Sequence, residues 1–128
     1  MNIRPRALAW LSKNHNSVDG PIYASKYYQP DESWPKLAVW WLEIPMKKLN
    51  SAYANINLLC ESAGDKDFYY LRIPNDFLKQ NLQLFHIRNN KISMYLSAAP
   101  DQLFKEIRGK GIDFKTFLIS KRPSAKSH

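Results

Sequence analysis

Residues 38–45 read AVWWLEIP and residues 68–74 read FYYLRIP. At an offset of 29, Trp41-Leu42-Glu43-Ile44-Pro45 lies over Tyr70-Leu71-Arg72-Ile73-Pro74, and each proline is followed four residues later by a leucine, Leu49 or Leu78. Alternation puts Val39, Trp41 and Glu43 on one face and Trp40, Leu42 and Ile44 on the other. Both faces are apolar apart from Glu43, the pattern of a strand covered on both sides in the centre of a sheet. Proline cannot donate to a ladder, fixes its own φ and holds the residue before it extended. Each copy is therefore a strand that ends at proline and leads into a short helix, over MKKLNSA and NDFLKQN respectively. Two copies fall short of the three that a repeat array needs.

The text on either side fills out an α+β domain. Residues 5–15 (PRALAWLSKNH) bring Leu8, Trp10 and Leu11 to helical spacing, with Pro5 suited to a first turn. Residues 17–35 are turn-rich, punctuated by Gly20-Pro21, Gln29-Pro30-Asp31 and Trp34-Pro35, and hold Tyr23, Tyr27, Tyr28 and Trp34. A loop this long in a small domain is often functional, and aromatics are enriched at protein interfaces. Those four residues are a candidate interaction loop.

Residues 53–61 (YANINLLCE) alternate as a strand, and residues 84–97 read as a hairpin turned by Asn89-Asn90, since asparagine tolerates positive φ. In that hairpin Ile92, Met94 and Leu96 are expected to be packed, with Ser93, Tyr95 and Ser97 wet. Pro100 opens PDQLFKEIR, read as a helix with Asp101 near its positive end, Arg108 near its negative end and Gly109 as its stop. Residues 113–119 follow as a short helix or an edge strand. The fold expected is a mostly antiparallel sheet of about five strands, with the N-terminal and Pro100 helices on one face. One globular domain spans 1–119, and 120–128 is a flexible basic tail.

Composition supports a globular chain. With 128 residues, 45% hydrophobic and 13% aromatic, it is long enough to bury roughly two thirds of the surface its unfolded form exposes. No apolar run approaches the length of a membrane span, so no membrane association is expected and a cytoplasmic setting is. Cys60 is the only cysteine and lies in an apolar run, as a small buried hydrophobe would.

The net charge of +8 sits at the ends. Residues 1–30 hold four basic side chains against one acid, residues 31–85 six against seven, and residues 86–128 nine against three. Such asymmetry favours meeting phosphate at a basic face. Arg108-Gly109-Lys110-Gly111 concentrates two of the four glycines beside cations. Glycines let backbone amides approach a phosphate, and Arg or Lys neutralises it. Lys105, Arg108, Lys110, Lys115, Lys121 and Arg122 are the candidate phosphate contacts, and an exposed Tyr95 would add base stacking.

Signatures of catalysis are absent: there is no phosphate-binding G-x-x-x-x-G-K, G-x-S-x-G, H-E-x-x-H or C-x-x-C. His15, His86 and His128 lack ligand spacing, so neither a metal nor a cofactor is expected. Pro30-Asp31 and Pro100-Asp101 supply half of a metal-dependent nuclease signature, but no strand follows with an acid two residues before a lysine. Glu43 and Glu61 are the carboxylates that such a nuclease would need together, with His86 as a base; otherwise Glu43 pairs with Arg72, its counterpart in the second copy, if those strands are neighbours. The chain resembles small bacterial proteins in its strand and helix text, a resemblance that implies no activity. Three readings follow: a non-enzymatic binding protein touching nucleic-acid phosphates without base readout, a protein-interaction or self-associating module using residues 23–34, or a small basic nuclease or RNase.

Overall fold

A computed structural model describes residues 3–15, 18–33, 35–49, 52–64 and 67–120. Trp34, Lys121, Arg122 and the rest of the tail expected at the C-terminus lie outside the described residues. Helix α1 (Arg4–Asn14) has Pro5 in its first turn, and the His15 amide donates to the Leu11 carbonyl at its end. Strands β1 (Ile22–Ser25), β2 (Val39–Pro45), β3 (Asn55–Glu61), β4 (Phe68–Pro74), β5 (His86–Arg88), β6 (Lys91–Ser97) and β7 (Leu118–Ser120) make two sheets. The four-stranded sheet runs β1-β3-β4-β7 and the three-stranded sheet β2-β6-β5. All pairs are antiparallel except β1 with β3. Among the described residues no helix is long and apolar enough to cross a membrane.

The fold class is α+β, but the single sheet expected is two. The repeated text explains why one core still serves both. Each copy runs from strand through proline to a short helix, α2 (Met46–Leu49) after β2 and α3 (Asn75–Gln80) after β4. Trp40, Leu42, Ile44 and Leu49 come from the first copy and Leu71, Ile73 and Leu78 from the second, all at most 2% exposed in one cluster. Each such side chain stabilises the fold by about 1.5–3 kcal/mol relative to exposure. The copies therefore face each other from opposite sheets. The far face of the four-stranded sheet is covered by α1, whose Ala7, Trp10 and Leu11 pack with Leu59, Phe68 and Tyr70.

The β5–β6 turn forms as expected, with Asn89 and Asn90 at φ 53° and 62°, the two positive values that a two-residue primed turn demands. The helix expected at Pro100 does not form. A single 3₁₀ turn, Pro100–Gln102, gives way to Phe104 at φ 67°. Beyond it the chain lies along β6 where the three-residue β5 has ended: Phe104 N–H donates to the Ser97 carbonyl at 2.8 Å, Ser97 N–H to Lys105 at 2.8 Å and Ile107 N–H to Tyr95 at 2.9 Å. Two tertiary gains override the helical spacing of Leu103, Phe104 and Ile107. Phe104 is fully buried, stacked on Trp40 with centroids 5.3 Å apart, against a left-handed backbone costing about 1–3 kcal/mol. The other gain is Glu106, which a helix would have left on a flank. Residues 115–120 form a 3₁₀ turn and then β7, an edge strand beside β4.

Candidate functional site

β2, expected at a sheet centre, is at the edge of the three-stranded sheet, and among the described residues α1 packs on the four-stranded sheet and leaves Trp41 on the outer face of β2 exposed. Cross-strand register places Trp41 beside Tyr95 and Glu43 beside Ser93, and Ser93 beside His86 of β5. Trp41 is 41% exposed. Its indole Nε1–H donates to Ser93 Oγ at 3.4 Å, and its ring lies 6.5 Å from that of Tyr95. Arg108 crosses this face: its guanidinium carbon lies 4.9 Å from the Tyr95 ring centre, Nη1 donates to Ser93 Oγ at 3.4 Å and Nη2 contacts His86 Nε2 at 3.3 Å. A guanidinium has donors only, so His86 Nε2 is the accepting atom of this contact. This covering explains why Ser93 is buried where a wet face was expected.

Glu106 fixes Arg108. Its carboxylate is fully buried and accepts from the amides of Tyr95 (3.3 Å), Arg108 (2.9 Å) and Gly109 (2.7 Å). It thereby fills the gap in the β6 ladder between β5 and residues 104–107. A Cβ on Gly109 would strike the Leu84 carbonyl oxygen, so this glycine serves close packing rather than an anion. The Arg108 and Gly109 amides that a phosphate would need are already taken by Glu106.

The other expected phosphate contacts separate. Lys105 and Lys115 line an open groove that Asp101 and Asp113 also line, so its charge is mixed. Lys110 is exposed on the turn that follows Arg108, and its amide donates to Leu84.

The aromatic loop divides as well. Tyr23 and Tyr27 pack against the main core, Tyr27 edge-on to Trp40 at 6.3 Å. Burial raises the Tyr23 phenol above its ordinary value, with the Arg4 charge acting the other way. Tyr28 instead pairs its backbone with Val39 and carries Lys26 Nζ 5.0 Å over its ring. Tyr28, Glu32, Ser33, Val39, Trp41 and Tyr95 together line a cleft of about 180 Å³. Ser33 Oγ is engaged with Leu37, and Glu32 is the one carboxyl side chain among the residues lining this cleft.

Glu43 and Glu61 lie in different sheets. Glu61 forms an ion pair with Arg6 and accepts from the Tyr27 amide, Glu43 lies 3.9 Å from Lys91, and Arg72 sits over Tyr70 rather than beside Glu43. Among the described residues no three His, Cys, Asp or Glu side chains are grouped to hold a metal. Burial pushes the Cys60 thiol far above its ordinary value, which makes it a poor nucleophile.

Sequence reasoning singled out Tyr28, Arg108, Tyr95 and His86 without joining them, and passed over Lys26, Glu32 and Trp41 as site residues. For Trp41 the only signal was the strand alternation, which assigns it to the face opposite Trp40. No protein-family model matches the chain, and no curated protein or solved structure matches it either.

Proposed function

We propose that this chain is a non-enzymatic binding protein that holds single-stranded nucleic acid on the outer face of its three-stranded sheet. The observation that supports it most is the gathering of aromatic rings and cations on one face: Tyr95 with Arg108 above and Trp41 beside it, and Tyr28 with Lys26 above. Unstacked bases have π-faces to lay on such rings, and phosphates have cations within reach. A duplex hides its base faces, which makes the single strand the fitting ligand. The basic ends of the chain add a non-specific attraction that salt weakens.

Fluorescence anisotropy of labelled single-stranded DNA and RNA over a salt series tests this. Trp41→Ala is expected to weaken binding by about 1–3 kcal/mol. Lys26→Ala with Arg108→Ala is expected to flatten the salt slope by about 1.4. Duplex bound as tightly as single strand, or Trp41→Ala binding like the parent, would overturn the reading.

A protein partner is the second reading. Leu37 is 54% exposed and bonded to Ser33 at the cleft, which extends the aromatic surface with an aliphatic one. That reading expects association that depends on Leu37 and Tyr28 and is insensitive to salt.

A further inference from the structure

We infer that the cleft between Tyr28, Trp41 and Tyr95 accepts a single guanine base, with the Glu32 carboxylate reading its Watson–Crick edge; the inference rests on the nucleic-acid reading above. A volume of about 180 Å³ is below the roughly 300–1,000 Å³ of sites that enclose a whole drug-sized ligand. One base enters while its sugar and phosphate stay outside, on the side of Lys26 and Arg108. Val39, fully buried, is the apolar floor.

Glu32 decides which base. It closes the 3₁₀ turn Pro30–Glu32, and its Oε1 accepts from the Gln29 amide at 3.3 Å, which tethers the carboxylate at the cleft. An ionised carboxylate only accepts. Guanine alone among the four common bases presents two adjacent donors on its Watson–Crick edge, N1–H and the N2 amino group. Adenine and cytosine set an acceptor beside their amino group, and thymine or uracil flanks its single N–H with two carbonyls. Two parallel N–H to carboxylate bonds form with guanine, and a lone-pair clash or a single bond forms with the others.

Three rings and a carboxylate would also suit an organic ammonium ion. Lys26 and Arg108 argue against that occupant. They already lie 5.0 Å and 4.9 Å from the Tyr28 and Tyr95 ring centres, and their positive charge would repel a third cation.

The test uses the full chain and ten-nucleotide thymidine oligomers that carry one central guanine, adenine or cytosine, or none, in anisotropy titrations at one salt concentration. The guanine oligomer is expected to bind roughly 5- to 150-fold more tightly than the other three. Glu32→Gln, which offers one acceptor and one donor, is expected to erase that preference, bringing the four oligomers to within about twofold of one another. Equal affinities across the four oligomers, with binding retained, would overturn the guanine assignment and leave the surface reading standing. No binding by any oligomer would overturn both. Displacement of bound oligomer by millimolar tetramethylammonium, without a guanine preference, would make the cleft a cation cage and overturn the assignment.

Discussion

Leu42, Ile44 and Leu49 of the β2–α2 unit and Leu71, Ile73 and Leu78 of the β4–α3 unit enter the same core, and Trp40 meets its counterpart Tyr69 with ring centroids 5.6 Å apart. On their inward faces the two units are equivalent. Outward they diverge. Tyr70 lies beneath α1, fully buried, and its hydroxyl donates to Asn57 at 2.7 Å; Trp41, at the matching position, is open to the cleft. One local text gives a buried position where a helix covers it and an exposed, cleft-lining position at Trp41. Cover, rather than the strand itself, separates core from site.

The largest expected difference comes from truncating the matched pair. Tyr70→Ala should cost about 3–5 kcal/mol of stability by opening a cavity under α1. Trp41→Ala should cost under about 1 kcal/mol, and urea unfolding of the two variants measures both. Equal losses would dissolve the distinction between the units. Next in size, Glu106→Gln leaves buried amides on β6 and at Arg108 and Gly109 short of an acceptor, with an expected cost of about 1–3 kcal/mol. Because Glu106 also seats Arg108, the same variant should weaken oligonucleotide binding while Tyr70→Phe leaves it unchanged, which sharpens the division between covered and open faces.

A smaller effect belongs to pH. His15 stacks edge-on to Tyr70 at 4.9 Å on the covered side, and burial, followed by the Arg72 charge, holds its imidazole below the ordinary value. As pH falls, the unfolded chain takes up this proton first. The contribution to stability is therefore complete above about pH 6.5 and drains away as pH drops toward the folded value. His15→Gln should flatten the dependence of the urea midpoint between about pH 7.5 and 5. A parent and variant with parallel profiles would remove His15 from the account.

Much of this architecture was legible because it is local. Alternation marks the strands, Pro45 and Pro74 mark the exits, and Asn89-Asn90 marks a turn, since each depends on φ or on a period that the residue itself imposes. What escaped depends on distant neighbours. Leu103, Phe104 and Ile107 sit at helical spacing, and only the Trp40 ring and the open flank of β6 draw them into extended backbone. The two-sheet division escaped for a related reason: alternation describes the faces of a strand and says nothing about which strand lies beside it. At the site, Arg108 was visible as a cation near glycines, but its bond to Ser93 spans 15 residues and its contact with His86 spans 22. Trp41 could not be told from Tyr70, because α1 lies far from both in the chain.

Ser25 and Tyr28 also bear on how copies of the chain behave toward one another. An unpaired strand edge is a template for adding a foreign strand, and β2 is a seven-residue edge of high β-propensity. Here Ser25 Oγ accepts the Trp41 amide at 2.9 Å, and Tyr28 exchanges two backbone bonds with Val39. The segment between β1 and the loop thus occupies the vulnerable flank at two points. The other sheet edges are short: β5 and β7 are three residues each and β1 is four. Short or occupied edges leave little purchase for growth by strand addition, and at β2 that occupation consists of one serine hydroxyl and a pair of main-chain bonds.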